Sequence, residues 1–333
     1  MNRTLSQRRL GPFEVSALGF GCMNVSHAYG NPPPPDEAAK LLEVAFDEGI
    51  NFFDTAALYG FGANEQLLGN NLLKQHRSKI ILASKGGMAG VDGKRVINGR
   101  PEAIRKNCED SLRNLKTDVI DLYYLHRWDK QVPIEESVGA MADLVTAGKV
   151  RTLGLSEVSA STIARAHATH PITAVQTEYS IWTRNPEIAV LDKCRELGIA
   201  FVAFSPVARG FLGGKLKDVS TLDPKDIRRG MPRFYPENYP RNLEVLDQLL
   251  EVAKEENCSI AQLSLAWLLN KGEDIIPIPG TTKVSHLKDN IGSINLKLST
   301  QSLARIDEIL GAAPIIGERY NEATQNEIDT ETF

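Results

Sequence analysis

Four residues carry the chemistry that this sequence offers. Asp54 follows the apolar run Asn51-Phe52-Phe53, and Tyr59 stands five residues further on in the next turn. Lys85 ends the run Ile80-Ile81-Leu82-Ala83-Ser84, before Gly86-Gly87. His126 ends Ile120-Asp121-Leu122-Tyr123-Tyr124-Leu125. Taken singly, an aspartate after a strand is usually a turn or helix cap. A lone lysine there is usually solvated, and a lone histidine usually a hydrogen-bonded packing residue. Jointly, a carboxylate, an ammonium, a phenol and an imidazole at neighbouring strand ends describe a proton-transfer site. A buried Lys85 paired with Asp54 sets positive charge beside the Tyr59 phenol, and such charge is expected to lower a tyrosine pKa from about 10. A phenol tuned in this way gives a proton to a developing alkoxide and recovers it in the reverse direction. His126 is then placed to hydrogen-bond and orient a carbonyl oxygen. No nucleophile with a neighbouring base is evident, so carbonyl chemistry is favoured over acyl transfer.

The elements that must position these groups alternate. Strand-like runs cover Val15–Cys22, Ile50–Thr55, Ile80–Ser84, Val119–Leu125, Val150–Ser156, Ala174–Tyr179, Ile199–Ser205 and Ile275–Pro279. Several are apolar on successive residues, as strands covered on both faces are. Helical patterns separate them. One reads Glu37–Glu48, with Asp36 as its cap and Gly49 at C′; Pro101 opens another, with Ile104, Cys108, Leu112 and Leu115 on one stripe. Others cover Ile134–Ala147, Ser159–Ala168, Pro186–Leu197 and Ile260–Asn270. Eight strands, each followed by helix, predict an α/β fold: one (β/α)8 TIM barrel domain over residues 1–333. A doubly wound sheet with a second domain is the alternative. All four groups then lie at C-terminal strand ends, the face on which barrel enzymes build their sites. Residues 1–14 read as an N-terminal hairpin plugging the barrel bottom. Ala208–Arg241 reads as a long excursion after the seventh strand, and the polar tail 315–333 as frayed. Loop and tail are both expected to shape the site face.

Composition narrows the partners. The 333 residues are 42% hydrophobic and 24% charged, as in ordinary globular proteins. With 38 basic and 42 acidic side chains the net charge is −4, which gives no footprint for nucleic acid or an anionic membrane. No apolar stretch approaches the roughly 20 residues of a membrane span, and the N-terminus lacks the apolar core of a secretory signal. Cys22, Cys108, Cys194 and Cys258 lie far apart, consistent with a reducing, cytoplasmic setting. No pair of ligating residues has metal spacing on one element.

These motifs resemble those of the aldo-keto reductase family. The resemblance is carried by Gly19-Phe20-Gly21-Cys22-Met23, Asn51-Phe52-Phe53-Asp54-Thr55-Ala56, Tyr59-Gly60, Glu65, Leu68-Gly69 and Ala83-Ser84-Lys85. It continues through Leu125-His126-Arg127-Trp128-Asp129, Gly154-Leu155-Ser156, Gln176, Phe204-Ser205-Pro206, Ile278-Pro279-Gly280-Thr281-Thr282-Lys283 and Asp289-Asn290. It is collinear from about Leu10 to Leu310, and closest to the bacterial and plant branch related to potassium-channel β-subunits and perakine reductase. The family implies a barrel that reduces aldehydes or ketones with NADPH and lacks a Rossmann domain. By that resemblance Tyr59 is the general acid, Lys85 and Asp54 tune it, and His126 positions substrate. Ser156 and Gln176 hold the nicotinamide carboxamide, Phe204 stacks on its ring, and Gly21, Cys22 and Met23 belong to the same cofactor wall. Ser205, Pro206, Val207, Gly210, Leu212 and Lys215 fall in the loop over the pyrophosphate. Gly280, Thr281, Thr282 and Lys283 open a helix suited to the 2′-phosphate, and Asp289 and Asn290 meet the adenine.

Two positions depart from the family pattern. His286 stands where many members have arginine, which is expected to weaken the NADP preference and make it pH-dependent, since histidine charges near pH 6.5. Glu157 follows Ser156 where aldose-reductase relatives have asparagine. Aromatic and sulfur side chains at Met23, Tyr29, Phe61, Trp128, Trp182, Phe234, Tyr235 and Tyr320 are candidate pocket walls, and predict a flat or aromatic carbonyl substrate. Two other functions compete: an NADPH-binding regulatory subunit with slow turnover, and a Schiff-base aldolase using Lys85.

Overall fold

The computed structural model describes residues 5–333. The chain opens with an antiparallel hairpin of β1 (Gln7–Leu10) and β2 (Phe13–Ser16). Gly11 makes its turn at φ +57°, and a Cβ there would lie 2.4 Å from the Thr173 methyl. Leu10 and Val15 turn inward and pack with Phe52, Leu122, Val202 and Ile276 in the barrel interior. The hairpin is therefore the plug expected at the barrel bottom. Arg8 ties it to the last strand, donating to Ile275 O, and to the helix before that strand, donating to Leu269 O (2.7 Å).

Eight parallel strands follow: β3 (Phe20–Gly21), β4 (Phe52–Asp54), β5 (Ile81–Gly86), β8 (Ile120–Leu125), β9 (Val150–Ser156), β10 (Ile172–Glu178), β11 (Ala200–Phe204) and β12 (Ile275–Pro277), paired in that order. Backbone bonds from Gly19 N–H to Pro277 O (3.0 Å) and Gly21 N–H to Pro279 O (3.4 Å) join the first to the last. The two edges meet closely, and a Cβ on Gly21 would lie 2.7 Å from Ile278 O. Each strand is apolar on both faces for a reason. Phe52, Ala83, Leu122, Ala174 and Val202 fill the barrel, while Phe53, Leu82, Leu153, Val175 and Phe201 meet the helices.

Those helices are α1 (Pro35–Asp47), α2 (Ala63–Asn70), α3 (Leu72–His76), α4 (Pro101–Leu115), α5 (Ile134–Thr146), α6 (Ala160–Thr169), α7 (Val190–Leu197), α8 (Tyr239–Glu255), α9 (Ile260–Asn270), α10 (Val284–Gly292), α11 (Thr300–Ala312) and α12 (Glu322–Gln325).

Several expectations change. The run Val15–Cys22 is divided between β2 and β3. Asp36 is not a cap: α1 starts at Pro35, without a side-chain cap, because proline's fixed φ already suits a first helical turn. A second hairpin, β6 (Met88–Val91) with β7 (Lys94–Ile97), leaves the end of β5 and was not foreseen. The tail is not frayed. Arg319, Tyr320 and Ile328 are buried, and the Asp329 carboxylate accepts from Ser159 Oγ (2.9 Å) and Thr162 Oγ1 (2.7 Å) at the start of α6. Among the described residues no helix is long and apolar enough to cross a membrane.

Candidate active site

The barrel register brings the four candidate groups together. Asp54 is the last residue of β4, Lys85 lies one before the end of β5, and His126 follows β8 directly. Lys85 Nζ donates to the Asp54 carboxylate, to Thr55 O (2.8 Å) and to Tyr59 Oη (3.2 Å). The other Asp54 oxygen accepts from Gln176 Nε2 at 2.8 Å. The Tyr59 and His126 rings meet edge-on, with centroids 5.8 Å apart.

Tyr59 is held by a left-handed turn in which Gly60, Phe61 and Gly62 have φ of 56°, 52° and 94°. Left-handed backbone strains a residue with a bulky side chain, and such strain gathers at functional sites. Buried polar residues of α2 brace this turn on the strands. Asn64 accepts from Thr55 Oγ1 (2.6 Å) and donates to Cys22 O (2.7 Å), while Glu65 accepts from Ser84 Oγ (2.6 Å).

Charge in this cluster follows burial. Burial raises Tyr59 above the ordinary phenol value, and the pull of Lys85 in the other direction does not cancel it. The lowered pKa expected from the sequence is therefore corrected: the resting group is a neutral phenol. Burial pulls Lys85 down, but Asp54 and Tyr59 outweigh it and the pKa rises, so this is an ammonium. That pairing opposes the free amine that a Schiff-base aldolase needs. His126 is pushed well below its ordinary value by burial and then by Lys85, Arg127 and Arg95, leaving a neutral imidazole. Its Nδ1 has no hydrogen-bond partner among the described residues.

A cavity of about 1040 Å³ runs from these groups to the start of α10. Gly21, Cys22, Met23, Ser156, Gln176, Phe204, Ser205, Pro206, Val207, Gly210 and Lys215 line it, as do Gly280, Thr281, Thr282, His286, Asp289 and Asn290. Two residues from the same prediction do not: Leu212 is fully buried in the core, and Lys283 is exposed at the N-cap of α10. Glu157 turns away from the cavity, accepting from Arg319 Nη2 (2.6 Å) and from Glu178 N–H (2.9 Å). Its role is to hold the tail.

The fit to a dinucleotide rests on shape and donors. Glycine keeps the wall open where β3 meets the loop after β12, since a Cβ on Gly280 would lie 2.8 Å from Gly21 O. At the far end α10 has no side-chain cap, so its first-turn N–H groups suit an anion. Lys215 Nζ stands 3.5 Å from His286 Nε2 there.

Of the proposed substrate walls, Met23, Tyr29 and Tyr320 line the cavity. Phe61, Trp128, Trp182, Phe234 and Tyr235 do not. Trp182 stacks on Phe211 (4.2 Å) and Phe234 on Tyr239 (5.7 Å), so both are core residues. Sequence reasoning missed four lining arginines, Arg95, Arg127, Arg209 and Arg228. A signal existed for Arg95, since Asp92-Gly93 between short apolar runs is a hairpin turn and here has φ of 49° and 73°.

A closed barrel with an acid–base cluster at its C-terminal strand ends defines a barrel enzyme. Residues 17–311 match the aldo/keto reductase family, and the chain belongs to that family of oxidoreductases, which use nicotinamide cofactors. It is 47% identical over 311 residues to probable aldo-keto reductase 1 of Glycine max, covering 92% of this chain and 89% of that one. Among solved structures it resembles a glycerol dehydrogenase from Gluconobacter oxydans, with a TM-score of 0.84, 27% identity, and 94% and 97% of the two chains covered. It also resembles an aldo/keto reductase from Klebsiella pneumoniae in complex with NADP and acetate, with a TM-score of 0.72, 25% identity, and 96% and 99% covered.

Proposed function

We propose that the protein reduces an aldehyde or ketone to the alcohol, with NADPH as reductant and Tyr59 as proton donor. The observation that carries this reading is the Lys85 ammonium, which touches both Asp54 and, at 3.2 Å, Tyr59 Oη, beside a neutral His126 at the cavity wall. When bound, the cofactor supplies hydride to the carbonyl carbon.

The chain's own groups manage the oxygen. His126 holds it by a hydrogen bond, and Tyr59 Oη delivers a proton as negative charge develops on it. The resulting phenolate stays against the Lys85 ammonium, whose charge Asp54 keeps in place. Gln176 anchors Asp54 from β10 and, with Ser156, faces the cavity where the carboxamide is held. Lys215, at the cavity wall beside His286, supplies the positive charge toward a 2′-phosphate. His286, lowered by burial and then by Lys215 and Lys283, is neutral at pH 7. Tyr29 and Tyr320 support an aromatic or flat substrate.

Oxidation of NADPH and NADH by 4-nitrobenzaldehyde at pH 7 tests the reading. Turnover that prefers NADPH supports it. Tight NADPH binding without turnover of any aldehyde favours a regulatory subunit instead.

A further inference from the structure

Of the four arginines that line the cavity among the described residues, three are neutralised by a carboxylate: Arg95 by Glu327, Arg209 by Glu178 and Arg228 by Asp226. Arg127 is the exception. It follows His126, is 8% exposed, and among the described residues forms no ion pair with a carboxylate. Its Nη1 donates to His126 O (2.7 Å) and to Ser156 Oγ (3.3 Å), both neutral, and its Nε has no partner among the described residues. A buried guanidinium without a counter-anion is costly, and an unsatisfied N–H adds to that cost. Among the described residues the carboxylates lining the cavity are Asp54, held by Lys85 and Gln176, and Asp289, held by Ser259 Oγ at 2.7 Å. The reacting end therefore carries one uncompensated positive charge.

We propose that Arg127 receives a carboxylate on the substrate, so that the preferred substrates are oxo acids, with the carboxylate close to the carbonyl that His126 orients. The inference rests on the carbonyl-reductase reading. A guanidinium matches a carboxylate in charge and planar donor geometry. A site with buried donors also discriminates against an analogue that cannot satisfy them.

The test measures kcat/KM with saturating NADPH for glyoxylate, 4-oxobutanoate and 3-carboxybenzaldehyde, each against its methyl ester. At least one acid is expected to exceed its ester by roughly tenfold or more. Arg127→Gln, which keeps side-chain donors without the charge, should bring that ratio to about one, and Arg127→Lys should restore part of it. Esters at least as good as acids throughout the wild-type series overturn the proposal, whether or not a variant folds. So does a ratio unchanged in folded Arg127→Gln. Turnover of esters without preference for acids leaves the reductase reading standing; no turnover of any carbonyl compound, 4-nitrobenzaldehyde included, removes both.

Discussion

Replacing Arg319 by methionine tests how the tail is attached to the site. Arg319 is 3% exposed, and its Nη2 lies 2.6 Å from Glu157 Oε1 and 3.2 Å from Glu178 Oε2. Breaking a buried ion pair from one side costs roughly 3–5 kcal/mol, because the other charge stays buried. Glu178 keeps Arg209, so the loss falls on Glu157. One oxygen of Glu157 retains the Glu178 N–H, while the other has no partner among the described residues. The low end, about 3 kcal/mol, is therefore expected. An unfolding entropy of about 2.1 cal/mol/K per residue over 333 residues converts this to about 4 °C in Tm. The assay is thermal unfolding by circular dichroism without cofactor, alongside KM and kcat for 4-nitrobenzaldehyde. Tyr320, next to Arg319, lines the cavity, and its hydroxyl accepts from Arg209 Nη2 at 2.9 Å. KM should therefore rise more than kcat falls. Adding Glu157→Gln should return part of the lost Tm, since removing both partners costs less than removing one. A shift below about 1 °C, or a double variant less stable than Arg319→Met, would refute the argument.

Burial tends to raise Glu178, but Arg209, Arg319 and Arg233 more than offset it and hold it at about 2. A depressed folded pKa contributes stability above the ordinary value of 4.5 that is lost as pH falls toward 2. Acid unfolding curves should therefore be flatter in this window for Glu178→Gln than for the wild type. His286, with its lowered pKa, is charged only on acidification, so NADPH should gain on NADH as pH falls below about 6.5. His286→Arg should make that preference roughly threefold to tenfold larger at pH 7.5, read by cofactor fluorescence titration. Gly280→Ala forces a Cβ to 2.8 Å from Gly21 O, and should cost about 1–3 kcal/mol and weaken NADPH binding. Gly139→Ala, in α5 with nothing within 4 Å of the new methyl, should instead stabilise by about 0.5–1 kcal/mol in the same melts.

The strand ends were legible because their signals are local. Phe52-Phe53 and Leu82-Ala83 are apolar on both faces, and the change to Asp54 and Lys85, buried as they are, marks the end of each strand that meets the site. Polar residues in the tail carry no such pattern. Arg319 and Asp329 are ordered by partners on β10 and α6, more than 100 residues away, which sequence spacing does not reveal. Aromatic identity was equally ambiguous: Tyr320 faces the cavity and Trp182 the core, and only packing separates them. The sign of the Tyr59 shift needed burial as well as charge. Proximity of Lys85 was readable from sequence, but the larger opposing effect was not.

The most direct test of the account compares Tyr59→Phe with the wild type in NADPH binding and in reduction of 4-nitrobenzaldehyde. Removing the hydroxyl takes away the proton donor and leaves the Lys85–Asp54 pair and the cavity intact. NADPH affinity should stay within about threefold, while kcat falls by roughly a hundredfold or more. Turnover within about threefold of the wild type would contradict the assignment of Tyr59 as the acid.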